Sequence, residues 1–219
     1  MLKQKYGSTR VEKKGVSAFI NNKKEIWPAF GQEYRYSHIF IKKFSEKPFL
    51  HLKKIKKEKP KIMVLGAGLG VDLIEFKKAL NLIKINPTID VLSLTKSLSP
   101  RAKKIVNKDY SQNKAIETID FKKETKLASN LKSKYDLVVA PLSVGVYTDH
   151  PSYNMFLTSL MLSKNGKAYI ELGEFKLKTV TRFKKFVEIY NLQNKTDYRF
   201  TVNKINPNEE KFLEITRTN

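Results

Sequence analysis

Three glycines at alternate positions, Gly66-Ala67-Gly68-Leu69-Gly70, follow the apolar run Lys61-Ile62-Met63-Val64-Leu65 and precede an amphipathic stretch. A strand that passes into a helix through such a loop brings bare backbone N–H groups up to a ligand, which suits a nucleotide. Gly66 permits the tight turn, Gly68 lets a ligand approach the backbone, and Gly70 lets the helix start close to the strand. Val71 stands where a dinucleotide fingerprint places Gly or Ala, and no Gly-Lys-Ser/Thr follows, which excludes a P-loop. A second group, Tyr147, Asp149 and His150, lies in the segment 140–151. His150 has an unperturbed pKa of about 6.5 and suits a general base that Asp149 orients. The competing reading makes Asp149 and His150 caps of a helix that begins near Pro151. A third group interleaves cations with aromatics: Trp27, Tyr34, Arg35, Tyr36, Lys42 and Lys43. That mixture holds phosphates while stacking on bases. It also describes an aromatic mini-core with a lysine fringe.

These groups need a scaffold, and the apolar pattern from residue 61 onward predicts one. Short apolar runs alternate with amphipathic stretches, the mark of a parallel α/β sheet. Expected strands are 61–65, 89–94, 116–120, 135–140 and 168–172. Expected helices are one with Leu73, Phe76, Ala79, Leu80 and Ile83 on its apolar face, one opened by Ser99-Pro100, a short one at 125–131, one at 153–162, and a basic amphipathic one through Val180, Phe183, Phe186, Val187 and Tyr190. Residues 198–202 and 212–216 flank Asn206-Pro207-Asn208 with no room for a helix, so they are expected to pair antiparallel. Residues 1–60 are less regular, and 38–44 fits either a helix or a strand.

With the motifs in place, residues 61–219 resemble the class I S-adenosylmethionine-dependent methyltransferases. The resemblance rests on Val64-Leu65-Gly66-Ala67-Gly68-Leu69-Gly70, on the fourth-strand stretch Lys134-Tyr135-Asp136-Leu137-Val138-Val139, on the helix–turn–strand of residues 160–170, and on the terminal antiparallel pair. It implies a three-layer Rossmann-like fold, a mostly parallel seven-stranded sheet with a C-terminal hairpin, preceded by a basic N-terminal extension over 1–60. It implies S-adenosylmethionine as cofactor, with Gly66, Ala67, Gly68 and Gly70 along its methionine part and Pro141 beside it. Asp120 would accept the adenine amino group and Phe121 would pack on the ring. The chain departs from the family at the end of the second strand, where Thr95 stands in place of the carboxylate that holds the ribose hydroxyls. Ala140-Pro141-Leu142-Ser143 lacks the motif of the base-amino methylating members, and Ala140 breaks the tetrad of the ribose-methylating ones.

Composition narrows the substrate. The chain of 219 residues carries 43 Lys+Arg against 21 Asp+Glu, a formal charge of +22. Residues 1–61 hold 17 of the basic and 5 of the acidic side chains, so over half the charge sits in the first quarter. Part of the excess reflects a Lys/Asn/Ile-rich composition. Its concentration at one end predicts a polyanion-facing surface, and RNA is the expected acceptor. The alternatives are a small-molecule or protein acceptor with the N-terminal segment as a lid, and an inactive relative that only binds. The absence of cysteine excludes thiol catalysis and disulfides, and three histidines make a multi-His metal site unexpected. No apolar run reaches membrane-spanning length and no leader is recognisable, so a cytoplasmic protein is expected.

Overall fold

The computed structural model describes residues 10–12, 15–20, 23–27, 46–67, 70–92, 98–111, 131–145, 151–172, 177–206 and 209–219. Three strands, β1 (Arg10–Glu12), β2 (Gly15–Ile20) and β3 (Lys23–Trp27), pair antiparallel in sequence order as a sheet of their own. Ile20 pairs with Lys23, so only Asn21-Asn22 links β2 to β3.

The main sheet contains β4 (Lys61–Leu65), β5 (Thr88–Leu92), β6 (Lys108–Asp109), β7 (Tyr135–Gly145), β8 (Leu162–Leu172), β9 (Phe200–Asn206) and β10 (Glu209–Arg217). Their order is β6-β5-β4-β7-β8-β10-β9. Strands β4 to β8 run parallel, while β10 is antiparallel to both β8 and β9. The helices are α1 (Lys47–Ile55), α2 (Val71–Leu82), α3 (Pro100–Lys103), α4 (Pro151–Leu160) and α5 (Leu177–Asn194).

Alternating strand residues divide the core between the two faces of the sheet. Ile62, Val64, Ile89, Val91, Leu137 and Val139 pack against Leu52 of α1, Leu73, Phe76 and Leu80 of α2, and Ala102 of α3. On the opposite face Met63, Leu65, Val138, Ala140, Ile170 and Ile215 meet Tyr153, Phe156 and Leu160 of α4 and Phe183 and Tyr190 of α5. Burying each large apolar side chain contributes about 1.5–3 kcal/mol, so these two clusters fix the register of the strands. Helix α1 belongs to this assembly: Leu52 is fully buried and Phe49 packs on Phe76 at 5.4 Å between ring centroids. Residues 47–55, expected in the N-terminal extension, thus pack on the sheet together with residues from 61 onward.

The third strand departs from expectation. The edge position beside β5 is held by Lys108–Asp109, whereas 116–120 was expected there and lies outside the described residues. Both residues of β6 are exposed, so it carries no apolar alternation by which a sequence pattern could find it. Backbone bonds place it instead, from Asn107 N–H to the Ile89 carbonyl and from Tyr110 N–H to the Val91 carbonyl, each at 2.8 Å. The buried carboxylate of Asp90 ties the neighbouring elements together. It accepts from Asn107 Nδ2 at 2.9 Å and from the Tyr135 hydroxyl at 2.8 Å.

Candidate functional site

At the C-terminal end of β4 the chain leaves the sheet through Gly66, whose φ is 76°. Its N–H donates to the Leu92 carbonyl at 2.9 Å, which anchors the loop to the end of β5. Gly70 closes the turn by donating its N–H to the Ala67 carbonyl at 2.8 Å, and its own carbonyl accepts from Ile74 N–H as α2 begins. Gly66 is exposed and Ala67 half-buried, so this stretch of backbone faces solvent. Gly70 is buried, with φ of 78°. A Cβ there would lie 2.5 Å from Ala102 Cβ and 3.1 Å from Leu98 Cδ2. The last glycine thus lets α2 start against α3, rather than against the strand as expected.

This loop lies where the strand order reverses. From β4 the chain proceeds outward to β5 and β6, then returns to β7 on the other side of β4 and continues to β8. The crevice at such a reversal, beyond the carboxyl ends of the strands, is where open α/β sheets take ligands. Two strands distinguish this sheet from a nucleotide-binding sheet that is parallel throughout. Strand β10 inserts antiparallel between β8 and β9.

This is the class I methyltransferase fold.

No protein-family model matches the sequence, and no curated protein matches it. Solved structures similar to the chain include the plantazolicin methyltransferase BpumL in complex with SAH, at 14% identity over 84% of this chain and 86% of that one, with a TM-score of 0.48. The DszA carbon methyltransferase follows at 13% identity, 84% and 53% coverage and a TM-score of 0.47. MNMC2 from Aquifex aeolicus aligns over 98% of this chain and 70% of its own, at 14% identity and a TM-score of 0.46.

On the methyltransferase fold the expected site residues fall as follows. Gly66, Ala67 and Gly70 stand together at the end of β4, and Pro141 lies in the outer half of β7, two strands' ends that adjoin. Gly68, Thr95, Asp120, Phe121, Tyr147, Asp149 and His150 lie outside the described residues. So do Tyr34, Arg35, Tyr36, Lys42 and Lys43, while Trp27 ends β3. Asp109, at the end of β6, is an acidic residue that pattern reading did not single out. It is exposed, and its Oδ1 accepts from Ser111 N–H at 2.9 Å, an Asx turn that directs the chain away from the sheet. The Asn107-Lys108-Asp109 sequence offered only that turn chemistry as a signal.

The opposite pole is polar too, but its groups are bound to one another. A cleft of about 210 Å³ is lined by His51, Ile55, Lys57, Asp136, Lys164, Asn165 and Gly166. Asp136, at the start of β7, accepts from Lys57 Nζ at 2.5 Å and Ser163 Oγ at 2.9 Å through Oδ1, and from Lys61 N–H at 3.0 Å through Oδ2. Its carbonyl bonds to His51 Nε2 at 2.9 Å. Burial pushes the His51 pKa below its ordinary value, outweighing the Asp136 carbonyl bond that would raise it. Nearby, burial alone would raise the Glu214 carboxyl, but the Lys167 ammonium at 2.7 Å and the Tyr169 hydroxyl hold it below its usual range. This pole clamps α1 and β10 to the sheet; the exposed glycine backbone is at the other end. Among the described residues no three His, Asp or Glu side chains are grouped to hold a metal, and no helix is long and apolar enough to cross a membrane.

Proposed function

We propose that this chain is an S-adenosylmethionine-dependent methyltransferase. The observation that carries the reading is the exposed backbone of Gly66, held in a left-handed conformation at the strand-order reversal of a methyltransferase-type sheet. The residues present fit such a cofactor: Gly66 has no side chain and is exposed, so its backbone accepts a close approach. The bound cofactor supplies an activated methyl group for in-line displacement, which asks the protein chiefly to position the acceptor. Gly66, Ala67, Gly68 and Gly70 would line the methionine part, with Pro141 alongside. Asp120 would accept the adenine amino group, since a carboxylate accepts from N–H and cannot donate, and Phe121 would pack on the ring. Thr95 would meet the ribose through single hydrogen bonds. Tyr147, Asp149 and His150, in the segment after β7, are the candidates for handling the acceptor's proton.

The acceptor in this reading is RNA. The formal charge of +22, concentrated in residues 1–61, supports it, as does the mixture of cations with Trp27, Tyr34 and Tyr36. Titration calorimetry with S-adenosylmethionine and S-adenosylhomocysteine tests the first part. Binding in the micromolar range is expected, and Gly68→Asp should abolish it by placing a charged side chain against the ligand. No heat at about 1 mM ligand, a free energy weaker than about 4 kcal/mol, would refute the cofactor reading. Methyl transfer from labelled cofactor to a small molecule or protein, with none to RNA, would overturn the acceptor.

A further inference from the structure

Helix α5 has one face in the core and a second face whose chemistry folding does not explain. Thr179, Phe183 and Tyr190 are buried against the sheet. Lys178, Arg182, Lys185, Ile189 and Leu192 are all exposed. Their spacing of four, three, four and three residues puts them within one narrow stripe, because each pair advances close to a whole turn. Lys184 is a fourth exposed cation, about 100° around the helix from Lys185 and off the stripe, and Glu188 is the only acid in the helix. None of the four cations forms an ion pair among the described residues.

The arrangement runs against the helix's own electrostatics. The first turn contains no acidic residue, yet Lys178 and Arg182 occupy the first two turns, next to the partial positive charge of the N-terminus. Cations there repel the macrodipole and each other, a cost of roughly 0.3–1 kcal/mol each that an external polyanion would offset. The direction of the helix adds to this. Strand β8 ends at Leu172 on the pole that carries Gly66, and α5 starts at Leu177, so the cation-bearing half of the helix lies toward that pole. The exposed apolar residues Ile189 and Leu192, 49% and 82% accessible, lie in the far half.

We propose that the stripe Lys178-Arg182-Lys185 binds the phosphate backbone of single-stranded RNA and leads it toward the Gly66 end of the sheet. This rests on the RNA-methylating reading above and gives it a location outside the N-terminal segment. Charge complementarity selects the occupant: three cations along about 10 Å of helix face meet successive phosphates of a flexible strand. Each phosphate neutralised on a single strand contributes about 0.7 to the slope of log affinity against log salt, so the stripe accounts for a slope of about 2.

The test compares the full chain with K178Q/R182Q/K185Q and with a control of equal charge change, K103Q/K104Q/K108Q, on the opposite edge of the sheet. Binding of a single-stranded oligouridine is measured from low to high salt. The stripe variant should lose about 2 from the slope and about 100-fold in affinity near 0.1 M salt, while the control loses less than half as much. Equal losses in both variants would mean that diffuse charge binds RNA, and no loss in the stripe variant would remove α5 from the interface; either overturns the proposal. The third arm uses vesicles of phosphatidylserine and phosphatidylcholine. If the stripe variant loses vesicle binding with its RNA slope intact, the surface is a lipid-facing one and the proposal fails. S-adenosylhomocysteine binding separates the two readings. The stripe variant should bind it as the full chain does. Loss of cofactor binding in the full chain with the α5 slope effect retained would sink the methyltransferase reading alone.

Discussion

Gly70 offers the sharpest test of what the glycine loop is for, since the structure shows it packing against Ala102 and Leu98. Gly70→Ala introduces two separable penalties. At a φ of 78° an L-residue pays about 1–2 kcal/mol for left-handed backbone. The added Cβ would also sit 2.5 Å from Ala102 Cβ, so α2 and α3 must part, an overpacking penalty of about 1–3 kcal/mol. Together they predict about 2–5 kcal/mol lost, or a fall in Tm of roughly 4–20 °C for a chain of this size. Ala102→Gly alone should cost about 0.5–1 kcal/mol through helix propensity. Combined with Gly70→Ala it removes the methyl that causes the collision, so the double variant should recover the overpacking share. Urea unfolding of the four proteins closes the cycle, with an expected coupling of about 1–3 kcal/mol. Additivity within about 0.5 kcal/mol would refute the contact as the reason for glycine. It would leave the left-handed backbone as the sole requirement for glycine there.

Two further outcomes concern the opposite pole. Asp136→Asn keeps the volume but removes the charge that Lys57, Ser163 and Lys61 N–H address, and should destabilise by about 2–3 kcal/mol with S-adenosylhomocysteine affinity unchanged. Lys57→Met removes only a partner whose side chain is 55% exposed, so its cost should stay under about 1 kcal/mol; a larger loss than in Asp136→Asn would contradict the assignment of the aspartate as hub. His51 makes stability depend on pH. Its folded pKa lies below the ordinary 6.5, so the unfolded chain binds the proton first and stability falls as pH drops below about 6.5, levelling off only below the folded value. His51→Gln should flatten that slope in urea unfolding between pH 7.5 and 5.5, and an unchanged slope would exclude this histidine as its source.

The legibility of the chain follows burial. Strands 61–65 and 135–140, buried on both faces, stand out as apolar runs, and Ser99 caps α3 as its sequence suggests, its Oγ accepting from Ala102 N–H at 3.2 Å. The Asp-containing start of β7 reads as part of an apolar strand because three donors satisfy the carboxylate, and those donors come from residues 57, 61 and 163. No local pattern foretells such a meeting. Strand β6 escapes a pattern reading for the complementary reason: both of its residues are exposed and backbone bonds from the flanking Asn107 and Tyr110 place it, so it carries no apolar alternation. Helix α1 was hidden by its lysines, since its buried face amounts to Pro48, His51 and Leu52. At the candidate site the glycines were legible because backbone conformation restricts the residue type, whereas Asp120 and Phe121 lie outside the described residues.

The position of β10 has a consequence for the order of events in folding. It is the last strand along the described chain, yet it is an interior strand of the sheet, between β8 and β9. Until residues 209–217 have emerged, β8 presents an unpaired edge carrying Ala168, Ile170 and Leu172, and β9 has no neighbour to dock on. During synthesis the nascent domain therefore carries a sticky strand edge through almost its whole length, the condition under which chains pair with one another. Arg217 completes the closure, donating from Nη1 to Ser133 Oγ at 2.6 Å and to the Leu162 carbonyl at 2.7 Å while its guanidinium rests 4.2 Å from the Tyr198 ring centre. Loss of even this final strand would expose an aggregation-prone edge, which makes late truncations as damaging to yield as early ones.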